Sequence, residues 1–204
     1  SGRISAWDHR AAYPSFMETA SRQPTDAAAS FEVAPIMQQP FAIPHMRIRS
    51  GDAKAHVRVG WLRSVTSIQH GFAVGSMVDE IAEATGQRPD QVWFELFGSV
   101  LSGAELSDAD RPEPRPLVAE RLSAVFRRVV EMSDYGRALP DRTGIGLAAW
   151  TSFGSFTAAA LEVTVGEGGE VRVPRAWTAI DCGLAVSPDL VRAQMEGAVV
   201  FGLS

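Results

Sequence analysis

Cysteine is almost missing from this chain of 204 residues: Cys182 stands alone. No intrachain disulfide can form, and a cysteine-rich zinc site is excluded. Lysine is equally scarce, since all but one (Lys54) of the 19 Lys and Arg residues are arginine. With the abundant alanine, this points to codon usage in a GC-rich genome more than to chemistry. No apolar run approaches the ~18 residues that span a bilayer, and the opening Ser1-Gly2-Arg3-Ile4-Ser5 lacks the apolar stretch of a signal segment. A net charge of −5 argues against a surface that coats a phosphate backbone, so no nucleic-acid partner is expected. There is no phosphate-binding glycine loop, dinucleotide fingerprint, His-Glu-x-x-His or Gly-x-Ser-x-Gly elbow. His9, His45, His56 and His70 have no ligand spacing, and no metal ligand set is expected.

The composition itself, 46% hydrophobic and 21% charged, is that of a folded globular chain. Local patterns predict an α+β fold of short helices on mixed or antiparallel sheet. Residues 2–8 read as a strand end, 18–35 as loop and 38–44, with Pro40 and Pro44, as extended connector. Apolar and polar residues alternate over Ala55-His56-Val57-Arg58-Val59-Gly60, the period of a half-buried strand. Phe72, Val74, Met77, Val78, Ile81 and Ala82 recur at helical spacing over 69–85, with Gly86 as the cap. Pro89 opens a second helix through Phe97. The stretch 98–116, rich in proline and charge, reads as a linker or loop between an N-terminal part (1–97) and a C-terminal part (117–204).

Val118, Leu122, Val125, Val129 and Met132 place a helix over 117–135, capped by Gly136. Strands follow at 144–150, 156–165 and 171–180, with hairpin chemistry at 166–169 and Pro174 marking an edge or bulge. Ser187-Pro188-Asp189 starts a last helix by hydroxyl cap, proline at the first turn and acid at the positive dipole end. Its apolar side is Leu190, Val191, Met195, Ala198 and Val199. The chain stops on the apolar run 199–203, which predicts a piece of a longer polypeptide whose uncovered apolar residues associate as a homodimer.

Two sets of residues go further. One is Gly60-Trp61-Leu62-Arg63-Ser64-Val65, followed by Phe72 and Asp79-Glu80-Ile81-Ala82. The other runs from Ser152-Phe153-Gly154-Ser155 through Glu162-Val163 and Ala179-Ile180-Asp181-Cys182-Gly183 to Pro188-Asp189, Gln194-Met195-Glu196-Gly197 and Phe201-Gly202-Leu203-Ser204. Order and spacing resemble the molybdenum-cofactor-binding large subunit of the xanthine dehydrogenase and aldehyde oxidase family, most closely its isoquinoline 1-oxidoreductase β-subunit branch.

The resemblance implies a fragment of a molybdopterin-dependent oxidoreductase that hydroxylates aldehydes or N-heterocycles with oxygen from water. It also implies a small partner subunit carrying iron–sulfur clusters. The general-base glutamate is expected downstream of this chain, in a Gly-x-Gly-Glu-like string, so no catalytic residue is assigned here and the isolated piece is expected to be inactive. Matching positions make Arg63, Val65 and Gln69 substrate-side residues, and Phe153, Gly154, Ser155 and Gln194 cofactor-side residues. The compartment stays open between bacterial periplasm and cytoplasm. The alternative is a non-catalytic binding or scaffold module that keeps the fold without the cofactor.

Overall fold

A computed structural model describes residues 3–16, 30–54, 56–57, 59–98 and 115–204. The predicted linker at 98–116 lies almost wholly outside the described residues. The elements run β1 (Ala6–Tyr13), α1 (Ser30–Met37), β2 (His45–Asp52), α2 (Ser67–Thr85), α3 (Pro89–Gly98), α4 (Arg115–Met132), β3 (Thr143–Ser152), β4 (Ser155–Val165), β5 (Val171–Asp181) and α5 (Pro188–Leu203). The fold class is α+β as expected: β1 and β2 form a parallel pair, and β3-β4-β5 an antiparallel meander.

The meander obeys the period of two. Phe156, Ala158 and Ala160 of β4, with Leu147 and Ala149 of β3, put one face into the core, and α4 lies across it. Alanines at the centre of that face leave room for the larger residues of the helix. Leu122, Val125, Phe126 and Val129 fill this space, and Phe126 reaches the rings of Trp93 and Phe97 at 5.8 and 5.7 Å. Trp93 and Phe97, both on α3, stack at 5.6 Å. Residues from both sides of the 98–116 stretch thus share one hydrophobic core. Among the described residues, β5 is one of the two edge strands, β3 the other. The register of β5 to β4 shifts between Glu162 and Thr164, beside Pro174, where the missing N–H leaves no ladder bond to lose.

At the end of the buried face of β4 sits Glu162, 6% exposed. It accepts a hydrogen bond from Arg137, and Arg175 stands 3.6 Å away. Helix α4 ends at Met132, three residues before the predicted end. Asp134, at φ 48°, starts the reversal there and Gly136, at φ 97°, completes it.

Three expectations are corrected. Residues 56–57 and 59–60 carry no strand. The alternating run that pairs is His45-Met46-Arg47-Ile48-Arg49-Ser50, whose partner β1 supplies Trp7 and His9 on the inner side. The stretch read as loop to residue 35 contains α1, which carries Pro35 past its first turn and so lacks the backbone N–H donor there. Helix α2 buries the stripe His70, Val74, Val78 and Ala82. Phe72 and Met77, predicted on the buried side, are exposed.

Candidate functional site

The segment entering α2 is tightly wound. Val65 N–H donates to the Leu62 carbonyl at 2.9 Å, and Ser67 N–H to the Ser64 carbonyl at 2.9 Å. Two successive turns of this kind force Ser64 and Val65 to φ values of 76° and 48°. For a β-branched residue this is a strained conformation that the surrounding bonds must hold. Thr66, at the N-cap of α2, does not cap the helix. Its hydroxyl donates to the Glu32 carbonyl at 2.6 Å and ties the turn to α1.

Facing it is the tip of the β3–β4 hairpin. Ser152 pairs with Ser155, leaving a two-residue loop in which Phe153 and Gly154 both have positive φ, 49° and 76°. This is the I′ signature, which suits the twist of the strands but suits Phe153 poorly. The two strained turns touch: the Ser67 and Ser152 hydroxyls are 3.3 Å apart. Behind them the amide of Gln39 binds the backbone of Thr151 in both directions, donating to its carbonyl at 3.0 Å and accepting from its N–H at 3.1 Å. Of the five non-glycine residues with positive φ among the described residues, Ser64, Val65 and Phe153 stand at this one place. Backbone strain concentrates where a surface has work to do.

These turns form one end of an open groove of about 860 Å³. Strands β3, β4 and β5 make its floor, the start of α2 one wall and α5 the other. The apolar side predicted for α5, from Leu190 to Val199, faces the groove, and no residue of α5 is buried. Pro188 opens that helix as expected, whereas the Ser187 side chain makes no capping bond and contributes its carbonyl to Val191 N–H at 3.1 Å.

The structure brings most of the singled-out residues together. Arg63, Phe153, Ser155 and Gln194 line the groove, while Val65 and Gly154 line an adjoining cavity of about 260 Å³ that also touches Phe153. Gln69 is exposed on α2 and lines neither. Arg63 is the one charged residue among the described residues of the groove lining. The other polar groups are hydroxyls of serine and threonine, the Gln194 amide and the Cys182 thiol. The buried indole N–H of Trp150, in the groove floor, finds no acceptor among the described residues. Beside the groove, Arg121 grips Asp181 with two bonds of 2.7 and 2.6 Å, and Gly183 N–H adds a third at 3.0 Å. These bonds, Arg121 first, hold the Asp181 carboxyl down at about 2.

Sequence reasoning missed a polar cluster behind the groove. His9 Nε2 and His70 Nδ1 are 2.9 Å apart, both residues buried, and His70 Nε2 lies 3.4 Å from the Glu32 carbonyl. The consistent assignment has His9 donate to His70 and His70 donate to the carbonyl, with both rings neutral. Burial pushes both imidazoles below their ordinary pKa. Burial, and then the charge of Glu32, push the Tyr13 hydroxyl up to about 12. The signal was present in part. His9 alternates with Trp7, and His70 begins the i, i+4 stripe of α2, but nothing local showed that the two stripes meet. Among the described residues no group of three His, Cys, Asp or Glu is placed to hold a metal ion, and no helix is long and apolar enough to cross a membrane.

Comparison with known proteins accords with this geometry. Residues 117–204 match the family model described as molybdopterin cofactor-binding domain. The chain is 33% identical over 168 residues to the β-subunit of isoquinoline 1-oxidoreductase from Brevundimonas diminuta, covering 80% of this chain and 19% of that protein. It is 28% identical over 219 residues to a nicotinate dehydrogenase subunit of Pseudomonas putida, covering 100% and 17%. It is 31% identical over 163 residues to a protein of Gluconacetobacter polyoxogenes named membrane-bound aldehyde dehydrogenase [pyrroloquinoline-quinone], covering 77% and 20%. The chain thus spans about a fifth of the length of these relatives.

Proposed function

We infer that this chain, which belongs through residues 117–204 to the molybdopterin cofactor-binding domain family, forms one wall of the cofactor and substrate site of a molybdenum hydroxylase acting on aldehydes or N-heterocycles. The observation that carries the reading is the groove. Five of the seven residues singled out by resemblance stand at its strained turns and Gln194 on the α5 wall, and among the described residues its lining offers one cation, several neutral donors and no carboxylate. That donor set fits a pterin with its phosphate: hydroxyls and amides match a heterocycle edge, and no acid repels the anion. The cradle at Phe153 and Gly154 exposes backbone that a bound ring can approach closely. Ser155 and Gln194 would hold the cofactor, and Arg63 and Val65 would face the substrate. When bound, such a cofactor supplies the two-electron redox chemistry.

The role of Arg63 is electrostatic. Its guanidinium donates charge-assisted hydrogen bonds to a substrate oxygen or ring nitrogen where negative charge develops. A general base must come from outside the described groove lining, in which no Asp, Glu or His stands. A partner subunit with iron–sulfur clusters then carries the electrons away. The lack of a base in the lining also favours the narrower reading, a binding wall with no chemistry of its own.

The test uses the complete enzyme. Arg63→Ala should lower kcat per bound molybdenum by about two to three decades, the worth of one preorganised donor, with Arg63→Lys recovering part. Normalised kcat unchanged beside a lowered Tm would make Arg63 structural. No molybdenum in either variant or parent would leave the binding-wall reading standing.

A further inference from the structure

Both strained turns of the groove are tied to one short helix, α1. Near its start, the Glu32 carbonyl accepts from the Thr66 hydroxyl at 2.6 Å, which fixes the turn that carries Arg63 to Val65. Just past its end, Gln39 fixes the hairpin tip. The Gln39 amide nitrogen donates to the Pro35 carbonyl at 2.7 Å and to the Thr151 carbonyl at 3.0 Å, and its oxygen accepts from Thr151 N–H at 3.1 Å. Two carbonyls demand a donor and one N–H demands an acceptor, so the carboxamide fits in one orientation alone. The Pro35 carbonyl is open to this bond because Gln39 N–H turns to the Ile36 carbonyl instead, at 3.3 Å. A carbonyl left over at the helix end thus becomes an anchor for the hairpin.

Helix α1 is itself held. Ile36 is fully buried in the core, and the Glu32 carboxylate accepts from the Ser15 hydroxyl at 2.7 Å. Ala34 and Pro35 line the cavity of about 260 Å³ where the two turns meet, so the helix backs that notch as well as tying its sides. Thr66 and Gln39 are both buried, and neither lines the groove or the smaller cavity.

We propose that Gln39 and Thr66 are positioning residues that act through α1: Gln39 sets the cofactor-side turn at Phe153 and Gly154, and Thr66 the substrate-side turn at Arg63 to Val65. The proposal rests on the reading of the groove as a cofactor and substrate site. Strain gives the two bonds their leverage. Val65 and Phe153 hold left-handed conformations that a β-branched and an aromatic residue leave once released, so a lost anchor shows as a moved turn. Each anchor acts on a different turn, so the two should fail in different ways. Loss of Gln39 loosens the cofactor, and loss of Thr66 misplaces the substrate.

The test uses the complete enzyme and three readouts: molybdenum retained during dialysis, KM, and amide deuterium exchange, which needs no cofactor. Gln39→Glu keeps the shape but sets a carboxylate oxygen against two carbonyls. It should lose molybdenum at least tenfold faster than the parent, with KM unchanged and faster exchange confined to Thr151 to Gly154. Gln39→Met, which buries no charge, should give the same pattern and serves if the glutamate variant does not fold. Thr66→Val should raise KM at least fivefold, with molybdenum retention unchanged and faster exchange confined to Leu62 to Ser67. Thr66→Ser, which keeps the hydroxyl, should restore KM. Variants that lose molybdenum and gain KM together, in step with a lowered Tm, would make α1 a structural support and overturn the proposal. So would exchange that rises equally in both segments or in neither. A parent enzyme that holds no molybdenum would overturn the cofactor reading itself, and the role of Gln39 with it.

Discussion

Phe153 occupies the first central position of a two-residue hairpin loop, at φ 49°, with its side chain 77% exposed. It buries little, so what it costs the fold is set by its backbone. A non-glycine residue in the left-handed region is strained by about 1–2 kcal/mol, whereas Asn enters that region through local hydrogen bonding at a fraction of the cost. Phe153→Asn creates Asn-Gly, the preferred pair for this turn, with Gly154 already in place. The expected gain is about 1 kcal/mol, less a few tenths for the ring contacts removed. For a chain of this size that is about 2–4 °C in Tm. The assay is thermal and urea unfolding of both proteins, with the urea slope unchanged. The same substitution strips the groove tip of its aromatic wall, so ligand binding by the complete enzyme should weaken while stability rises. A loss of stability above about 0.5 kcal/mol would refute the argument, because the ring would then be packing against something worth more than the strain.

Trp93→Ala, at 1% exposure in the aromatic cluster, should cost about 3–5 kcal/mol, read as a fall in the urea midpoint. The buried His9–His70 pair makes folding pH-dependent. Each folded-state pKa lies below the ordinary value of 6.5, so the unfolded chain binds more protons as pH falls through that value. Stability is therefore full above about pH 6.5 and falls below it, by at most about 1.4 kcal/mol per unit for each ring. Unfolding midpoints that do not move between pH 8 and pH 5 would contradict this. Asp181, depressed from 3.8 to about 2, stabilises the fold above its unfolded value and loses that contribution as pH falls from about 4 to 2. Asp181→Asn should remove this part of the acid transition, visible as a flatter acid limb in circular dichroism. The effect is small, since the side chain is a third exposed.

Legibility followed locality. Helix α3, strands β3 to β5 and helix α5 were visible because each carries its own period and its own punctuation, such as Gly166 to Gly169 before β5 or Pro188 before α5. The β1–β2 pair was not. Its two strands lie some 40 residues apart and pair in parallel, which no turn signal announces. The rival alternation at 55–60 is as regular as the one at 45–52, and only the availability of a partner decides between them. On α2, spacing put Val74, Val78 and Ala82 on the core side, as found, but it added Phe72 and Met77, which are exposed, and missed His70. Motif resemblance found the ends of the groove, because those are fixed by short strings of residues. It could not find Gln39, which clamps the hairpin from 112 residues away, or the meeting of His9 with His70.

Helix α5 has 16 residues and buries none of them. Its one packed stripe, Val191, Met195 and Val199, is only half-buried, so little tertiary contact supports the helix. Its amides should exchange with solvent deuterium orders of magnitude faster than those of α4, whose face is locked beneath the meander. Among the elements lining the groove, α5 is thus the one least held by the rest of the described residues. Anything that fills the groove must first collect that wall, and part of its apparent affinity is spent on the collecting. Whatever freezes α5 from behind would tighten binding in the groove without touching the ligand.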